Sequence, residues 1–154
     1  MNLPSLLVLL NLVSTWYMVG LIWMVQVVHY PLFKSVGQSE FDSYQKSHQF
    51  LTTLVVGPPM IVELFSTVFL LIYPPTRDAR TMTLLYVGLG LLIVTWLSTA
   101  FLQVPCHGKL EQGFDAQIHQ RLVSSNWIRT LAWSARGLVI GAIVWGMLNS
   151  QKAA

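Results

Sequence analysis

Charge is scarce in this chain: Asp, Glu, Lys and Arg make up only 10% of its 154 residues, against 54% apolar ones. Such a composition excludes an ordinary soluble domain and describes a chain that lives in lipid. Cysteine is scarcer still, and the lone Cys106 excludes an internal disulfide. No basic stripe with interleaved aromatics occurs, and the net charge of +3 is ordinary for basic flanks of apolar helices, so no nucleic-acid partner is expected. The first apolar run has no basic leader; Met1-Asn2-Leu3-Pro4 opens a stretch too long for a signal core, which predicts a retained helix.

What is abundant is uninterrupted apolar sequence. Runs at 4–28, 50–73, 82–104 and 127–148 each approach the ~20 residues that a helix needs to cross hydrocarbon. The fold expected is all-α, an integral membrane four-helix bundle forming one domain over 1–154. Its location is a membrane crossed several times, the inner (plasma) membrane if the source is bacterial. Four spans place the segments 31–49 and 105–126 on one side, with the termini and the Pro-rich turn 73–80 on the other. Lys34, Lys46, Lys109 and Arg121 on the first side against Arg77, Arg80 and Lys152 on the second leave the orientation open.

The two halves echo each other. Gln26-Val27-Val28-His29 resembles Gln103-Val104-Pro105-Cys106-His107, Phe41-Asp42 resembles Phe114-Asp115, and His48-Gln49 resembles His119-Gln120. Two duplicated helical hairpins would give this pattern, related by an axis along the membrane normal. On that reading the four histidines form two equivalent pairs.

Histidine is absent from the rest of the chain: His29, His48, His107 and His119 all belong to one membrane face. His29 and His107 follow spans one and three beside Pro31 and Pro105, which cannot continue a helix comfortably. Helices starting near Ser39 and Gly113 would run into spans two and four, bringing Tyr44 one turn before His48 and Asp115 one turn before His119. Neutral imidazole is the commonest metal ligand, and a carboxylate one turn away can orient it or complete the shell. The five candidate ligands are therefore His29, His48, His107, His119 and Asp115. Iron, as haem or a non-haem centre, is the metal favoured, with zinc or copper as alternatives.

Two charges lie deep in the spans. Glu63 and Arg136 sit at comparable depth in spans two and four, where an ion pair or a protonated Glu63 is the economical outcome. Arg129 precedes Arg136 by two helical turns, nearly on the same face, and is a candidate to hold an anionic group; Tyr44 is a candidate proton relay. Gly57-Pro58-Pro59 interrupts span two above Glu63 and is expected to kink it and open a cavity. Trp16, Tyr17, Trp23, Trp96, Trp127 and Trp133 read chiefly as packing and interfacial anchors. Gly20, Gly88, Gly90, Gly137 and Gly141 allow close helix approach within the chain or in a homodimer.

The stretch Val104-Pro105-Cys106-His107-Gly108-Lys109-Leu110, followed by Asn126-Trp127-Ile128-Arg129-Thr130, resembles the anthrone-oxygenase-like family of small four-span membrane proteins. Members carry a Val-Pro-x-Asn-x-x-Leu stretch after span three and a Trp-x-x-x-Arg-Thr-like entry into span four. Here His107 stands where that asparagine is usual. The resemblance implies oxidation of a polycyclic phenolic substrate, with His107, Asn126 and Arg129 as the residues carried over. The leading expectation is thus a metal-dependent membrane oxidoreductase acting on a small hydrophobic substrate. A carrier of metal, haem or small molecule is the rival, and a structural membrane subunit the third.

Overall fold

The computed structural model describes residues 2–152, of which the side chains of 151 and 152 are left aside. Among them every regular element is helical. α1 (Leu3–Met24) starts at Asn2, whose side chain accepts the Ser5 amide at 3.0 Å, with proline in the first turn. A wide turn, Val25–His29, leads into the short α2 (Tyr30–Leu32) and a tight turn, Phe33–Ser35. α3 (Phe41–Ile72) is one helix that contains Pro58 and Pro59. α4 (Ala79–Ser98) is capped by Asp78, which accepts the Thr81 amide at 2.9 Å. The Thr76 hydroxyl and the Thr81 amide hold the Asp78 carboxyl well below the usual carboxylate range. A second wide turn, Thr99–Gln103, precedes α5 (Val104–Leu110), and α6 (Ala116–Lys152) closes the bundle.

Four continuous helical stretches, Leu3–Ser35, Phe41–Ile72, Ala79–Leu110 and Ala116–Ser150, are long and apolar enough to cross a membrane. The chain is a multi-pass membrane protein of the four-helix-bundle class. The stretches outrun the apolar runs because the polar segments at the histidine end are themselves mostly helical. Only 36–40 and 111–115 remain as connections there. A 32-residue helix rises about 48 Å against ~30 Å of hydrocarbon. The histidine end is thus built from helix overhang rather than from loops.

The expected breaks at Pro31 and Pro105 are not breaks. In both places the helix widens by one residue first: the Tyr30 amide bonds to the Val25 carbonyl and the Val104 amide to the Thr99 carbonyl, each five residues back. The proline follows at once, so the ring and the missing donor fall where the ordinary four-residue register has already been given up. A single displacement of 74 residues carries Val25 onto Thr99, His29 onto Gln103 and Pro31 onto Pro105. The two hairpins therefore share a backbone device as well as an element order. In that register His107 falls on Phe33 and His119 on Gln45, which corrects the expectation of two equivalent histidine pairs.

α1 packs on α3 and α6, and α4 packs chiefly on α6. Two apolar clusters result. One, around Met18, Phe33, Phe41, Leu122 and Trp133, lies at the histidine end; the other, around Leu7, Leu70, Leu85 and Ile140, lies at the opposite end. Between them runs a buried polar layer. Glu63 pairs with Arg136 at 2.8 Å and also accepts from Thr15 Oγ1 at 2.8 Å and Trp133 Nε1 at 3.0 Å. Arg136 further donates to the Gly88 carbonyl and to Thr67 Oγ1 at 3.1 Å. Asn11 closes the layer by donating to Ser66 and Thr67, each at 2.9 Å. The expected pairing of spans two and four through Glu63 and Arg136 is present, and every partner that could leave either charge bare is satisfied. Large apolar side chains such as Phe50, Phe65, Phe101, Leu131 and Leu138 point outward.

Candidate functional site

The two wide turns set the site. Each adds a residue to its helix, turning the following side chains relative to an unbroken α-helix, and so Tyr30, rather than His29, is directed into the bundle. Tyr30 is buried, and its hydroxyl is the meeting point of two elements from elsewhere: His107 Nε2 on α5 at 2.9 Å and Arg129 Nη2 on α6 at 3.2 Å. Gln45 Nε2 on α3 donates to His107 Nδ1 at 2.8 Å. With the amide so placed, the His107 proton resides on Nε2 and points at Tyr30 Oη. Tyr30 Oη then receives two donors, and its own proton is left to donate elsewhere. The Gln45 carbonyl oxygen is buried with no partner. Turning that amide over would let it accept from Nδ1–H, and Tyr30 would then donate to His107 Nε2. Gln45 therefore sets the direction of the Tyr30–His107 hydrogen bond.

Arg129 is 7% exposed. Its guanidinium is held by neutral oxygens: Asn126 Oδ1 on its own helix, with Nε at 2.9 Å, Gln103 Oε1 at 3.4 Å, Thr99 Oγ1 at 3.5 Å and Tyr30 Oη. Asn126 Nδ2 in turn donates to Gln26 Oε1 at 2.8 Å. The guanidinium also lies 6.0 Å from the Trp133 ring, whose indole N–H is anchored on Glu63.

Tyr30, His48, His107, Gln103 and Arg129 form the polar end of a cavity of about 330 Å³. Its walls are otherwise largely apolar, including Met18, Ile22, Met60, Trp96 and Trp133. Volume and lining are those of a small-molecule site. Thr53 and Ile61 on α3 and Val104 on α5 line it too and are exposed on the bundle exterior, so the cavity opens sideways between α3 and α5. A second cavity of about 360 Å³ lies between α1 and α3, with His29, Tyr44, Ser47 and His48 along it. His48 borders both.

The structure brings three of the four histidines together. His29 Nε2 meets His48 Nδ1 at 2.8 Å, and the His48 and His107 rings are 5.3 Å apart. His119 stacks on the far side of Phe33 at 6.1 Å and bonds through Nε2 to the Tyr30 carbonyl at 2.7 Å. The Asp115 carboxylate makes no hydrogen bond to the His119 ring. The exposed Asp115 carboxylate caps α6, accepting the amides of Gln117 at 2.8 Å and Ile118 at 2.9 Å, because a side chain at the residue before the first turn is drawn to its free N–H groups. Among the described residues no three His, Cys, Asp or Glu side chains are grouped to hold a metal ion. His107 has both ring nitrogens engaged, and His29 and His48 face each other at hydrogen-bond distance, so the expected five-ligand set is not gathered about one point. Tyr44 stacks parallel on His48 at 6.2 Å and faces the second cavity, away from the Tyr30–His107 pair. Of the indoles expected as anchors, Trp96 and Trp133 line the first cavity.

Tyr30, on which the candidate site converges, is a residue that sequence reading passes over. Its neighbour His29 draws the eye, and only the wide turn reverses which of the two is buried. Gln45, Gln103 and Gln26 left a fainter signal as amides next to apolar runs. Comparison with known protein families, with curated proteins and with solved structures returns no match.

Proposed function

We propose that this protein is a membrane-embedded enzyme that takes a proton from the hydroxyl of a lipophilic phenol or quinol in the α3–α5 cavity, as the opening step of its oxidation. The observation that carries this reading is the convergence of Tyr30, His107 and Arg129 at the polar end of an otherwise apolar cavity reached from the lipid side. With the Gln45 amide turned so that its oxygen accepts from His107 Nδ1–H, His107 Nε2 is the free base: a phenolic oxygen beside Tyr30 Oη then loses its proton through Tyr30 to His107 Nε2, and Arg129 stabilises the negative charge that develops. Positioned acid–base groups of this kind contribute ~10²–10⁴-fold in rate. A quinol that then gives two electrons and its two protons to dioxygen yields quinone and hydrogen peroxide. The anthrone-oxygenase-like resemblance of the α5 and α6 motifs points to the same substrate chemistry. The proton step rests on Tyr30, His107 and Arg129 and needs no metal ion.

The test is direct. Purified protein in detergent should consume oxygen with a lipophilic quinol or polycyclic phenol, with peroxide formed from the quinol. Its visible spectrum and elemental analysis should show neither a Soret band nor a stoichiometric metal. Metal at one equivalent would overturn the metal-free route, and no oxygen uptake with either substrate class would favour the rival carrier reading, which the same lipid-side opening supports.

A further inference from the structure

The two deeply buried arginines are treated differently by the fold. Arg136 has a carboxylate, Glu63, and lies in the packed polar layer. Arg129 has none: the Glu63–Arg136 pair is the sole ion pair among the described residues. The other acids are exposed or committed elsewhere. Asp78 and Asp115 cap α4 and α6, Glu111 accepts from Gln49, and Glu40 and Asp42 are exposed at the start of α3. A guanidinium withdrawn from water with only neutral oxygens around it carries a large uncompensated electrostatic cost. That cost is lifted if an anion enters the space it borders. The Trp96 ring lines the same cavity. Tyr30 Oη, already accepting from two groups, supplies a second donor there.

We infer that the cavity holds its ligand as an anion, whether it enters ionised or becomes so when its phenolic proton leaves, with Arg129 holding the negatively charged oxygen and the ligand's apolar body lying against Trp96 and Trp133. This deepens the reading of the cavity as a substrate site by assigning the charge that the site selects. Entry is from the bilayer between α3 and α5, where Thr53, Ile61 and Val104 form the rim. The anionic oxygen belongs to a carboxylate or a phenolate, since the seat supplies charge and N–H or O–H donors and no acceptor pattern that would separate the two.

The experiment compares probes of one shape and different charge. Binding of 2-naphthoate and of neutral 2-naphthalenemethanol is measured by calorimetry with the protein in zwitterionic nanodiscs, against empty nanodiscs to remove partitioning. An ionised nitronaphtholate forms a third arm, which separates phenolate from carboxylate. Wild-type protein should bind at least one anion ten times or more tightly than the alcohol. R129Q should abolish that preference and R129K should keep part of it. Equal affinity of wild-type protein for charged and neutral probes overturns the inference, as does R129Q with its preference intact. Should R129Q fail to fold, the wild-type ratio decides alone. A tyrosinate band at neutral pH that disappears in Y30F would place the counter-charge on Tyr30 and overturn it as well. Anion preference without oxygen uptake leaves the seat standing and removes the enzyme; oxygen uptake without anion preference does the opposite.

Discussion

Tyr30 concentrates more of the site than any other side chain, since a single hydroxyl joins α2, α5 and α6 through His107 and Arg129. Replacing it by phenylalanine keeps the ring that packs on Phe33 at 5.5 Å and removes only the oxygen. Oxygen uptake by Y30F should fall by about 10²-fold or more, while the affinity for a quinol analogue changes far less, because the lost group acts on the proton in flight. Equal losses in both would make Tyr30 a binding residue. Gln45 works through His107: Gln45→Leu removes the donor on His107 Nδ1 and leaves the ring free to choose its tautomer, whereas Gln45→Glu offers an acceptor and holds the proton on Nδ1. The two variants should therefore shift the pH profile of turnover differently, and identical profiles would refute the orienting role.

At the scale of elements, the wide turns are the devices to test. Deleting Val27 removes the extra residue of Val25–His29 and restores an ordinary helical register at that point. It rotates everything downstream by about 100° about the helix axis, carrying Tyr30 out of the bundle, so activity should vanish while the protein still inserts and migrates as wild type. The crossing of α1 and α6 depends on Gly137. A Cβ there would stand 3.3 Å from Val19 and 3.4 Å from Trp16, so Gly137→Ala should move the helices apart slightly and lower stability by about 1–3 kcal/mol. Gly20, Gly90 and Gly141 have open space instead, and alanine at those positions should be tolerated. The α3–α4 turn has a pH dependence of known sign. With its folded value depressed, Asp78 stabilises the start of α4 above the ordinary carboxylate range and loses that contribution as pH falls through the folded value. Hydrogen exchange of the Thr81 amide should accelerate relative to the α4 interior below that range.

The whole molecule is two apolar clusters clamped across a polar layer, and Glu63 is fully buried within it. E63Q leaves Arg136 buried without its counter-charge and should cost about 3–5 kcal/mol in a reversible unfolding assay. Pairing E63Q with Arg136→Met should recover much of that loss. A double variant as damaged as the two single losses combined would mean that the charges act independently. Because Trp133 is fixed by Glu63 and also floors the cavity, E63Q should loosen ligand binding even though Glu63 does not line the cavity. Four-helix architecture, the depth of Glu63 and Arg136 and the unbroken helices entering spans two and four were all legible in the residues. The site was less so. His119 and Asp115 stand one turn apart at the start of α6 but are drawn to different tasks, one by the Tyr30 carbonyl and the other by the free amides of the helix's first turn.

The sequence by itself determined that the chain crosses the membrane four times and that its scarce polar residues collect in two levels, because hydrocarbon penalises every unpaired polar group and leaves a pattern visible in one dimension. Only the tertiary structure decided which polar groups meet. A one-residue widening before Pro31 and another before Pro105 rotate side chains in a way that helical periodicity does not encode, and they put Tyr30, His107 and Arg129, rather than four histidines and Asp115, at the end of the cavity. Proline chemistry is the reason: with no N–H to donate and a ring that crowds the preceding turn, each proline is accommodated by a local change of register, and the register fixes the site.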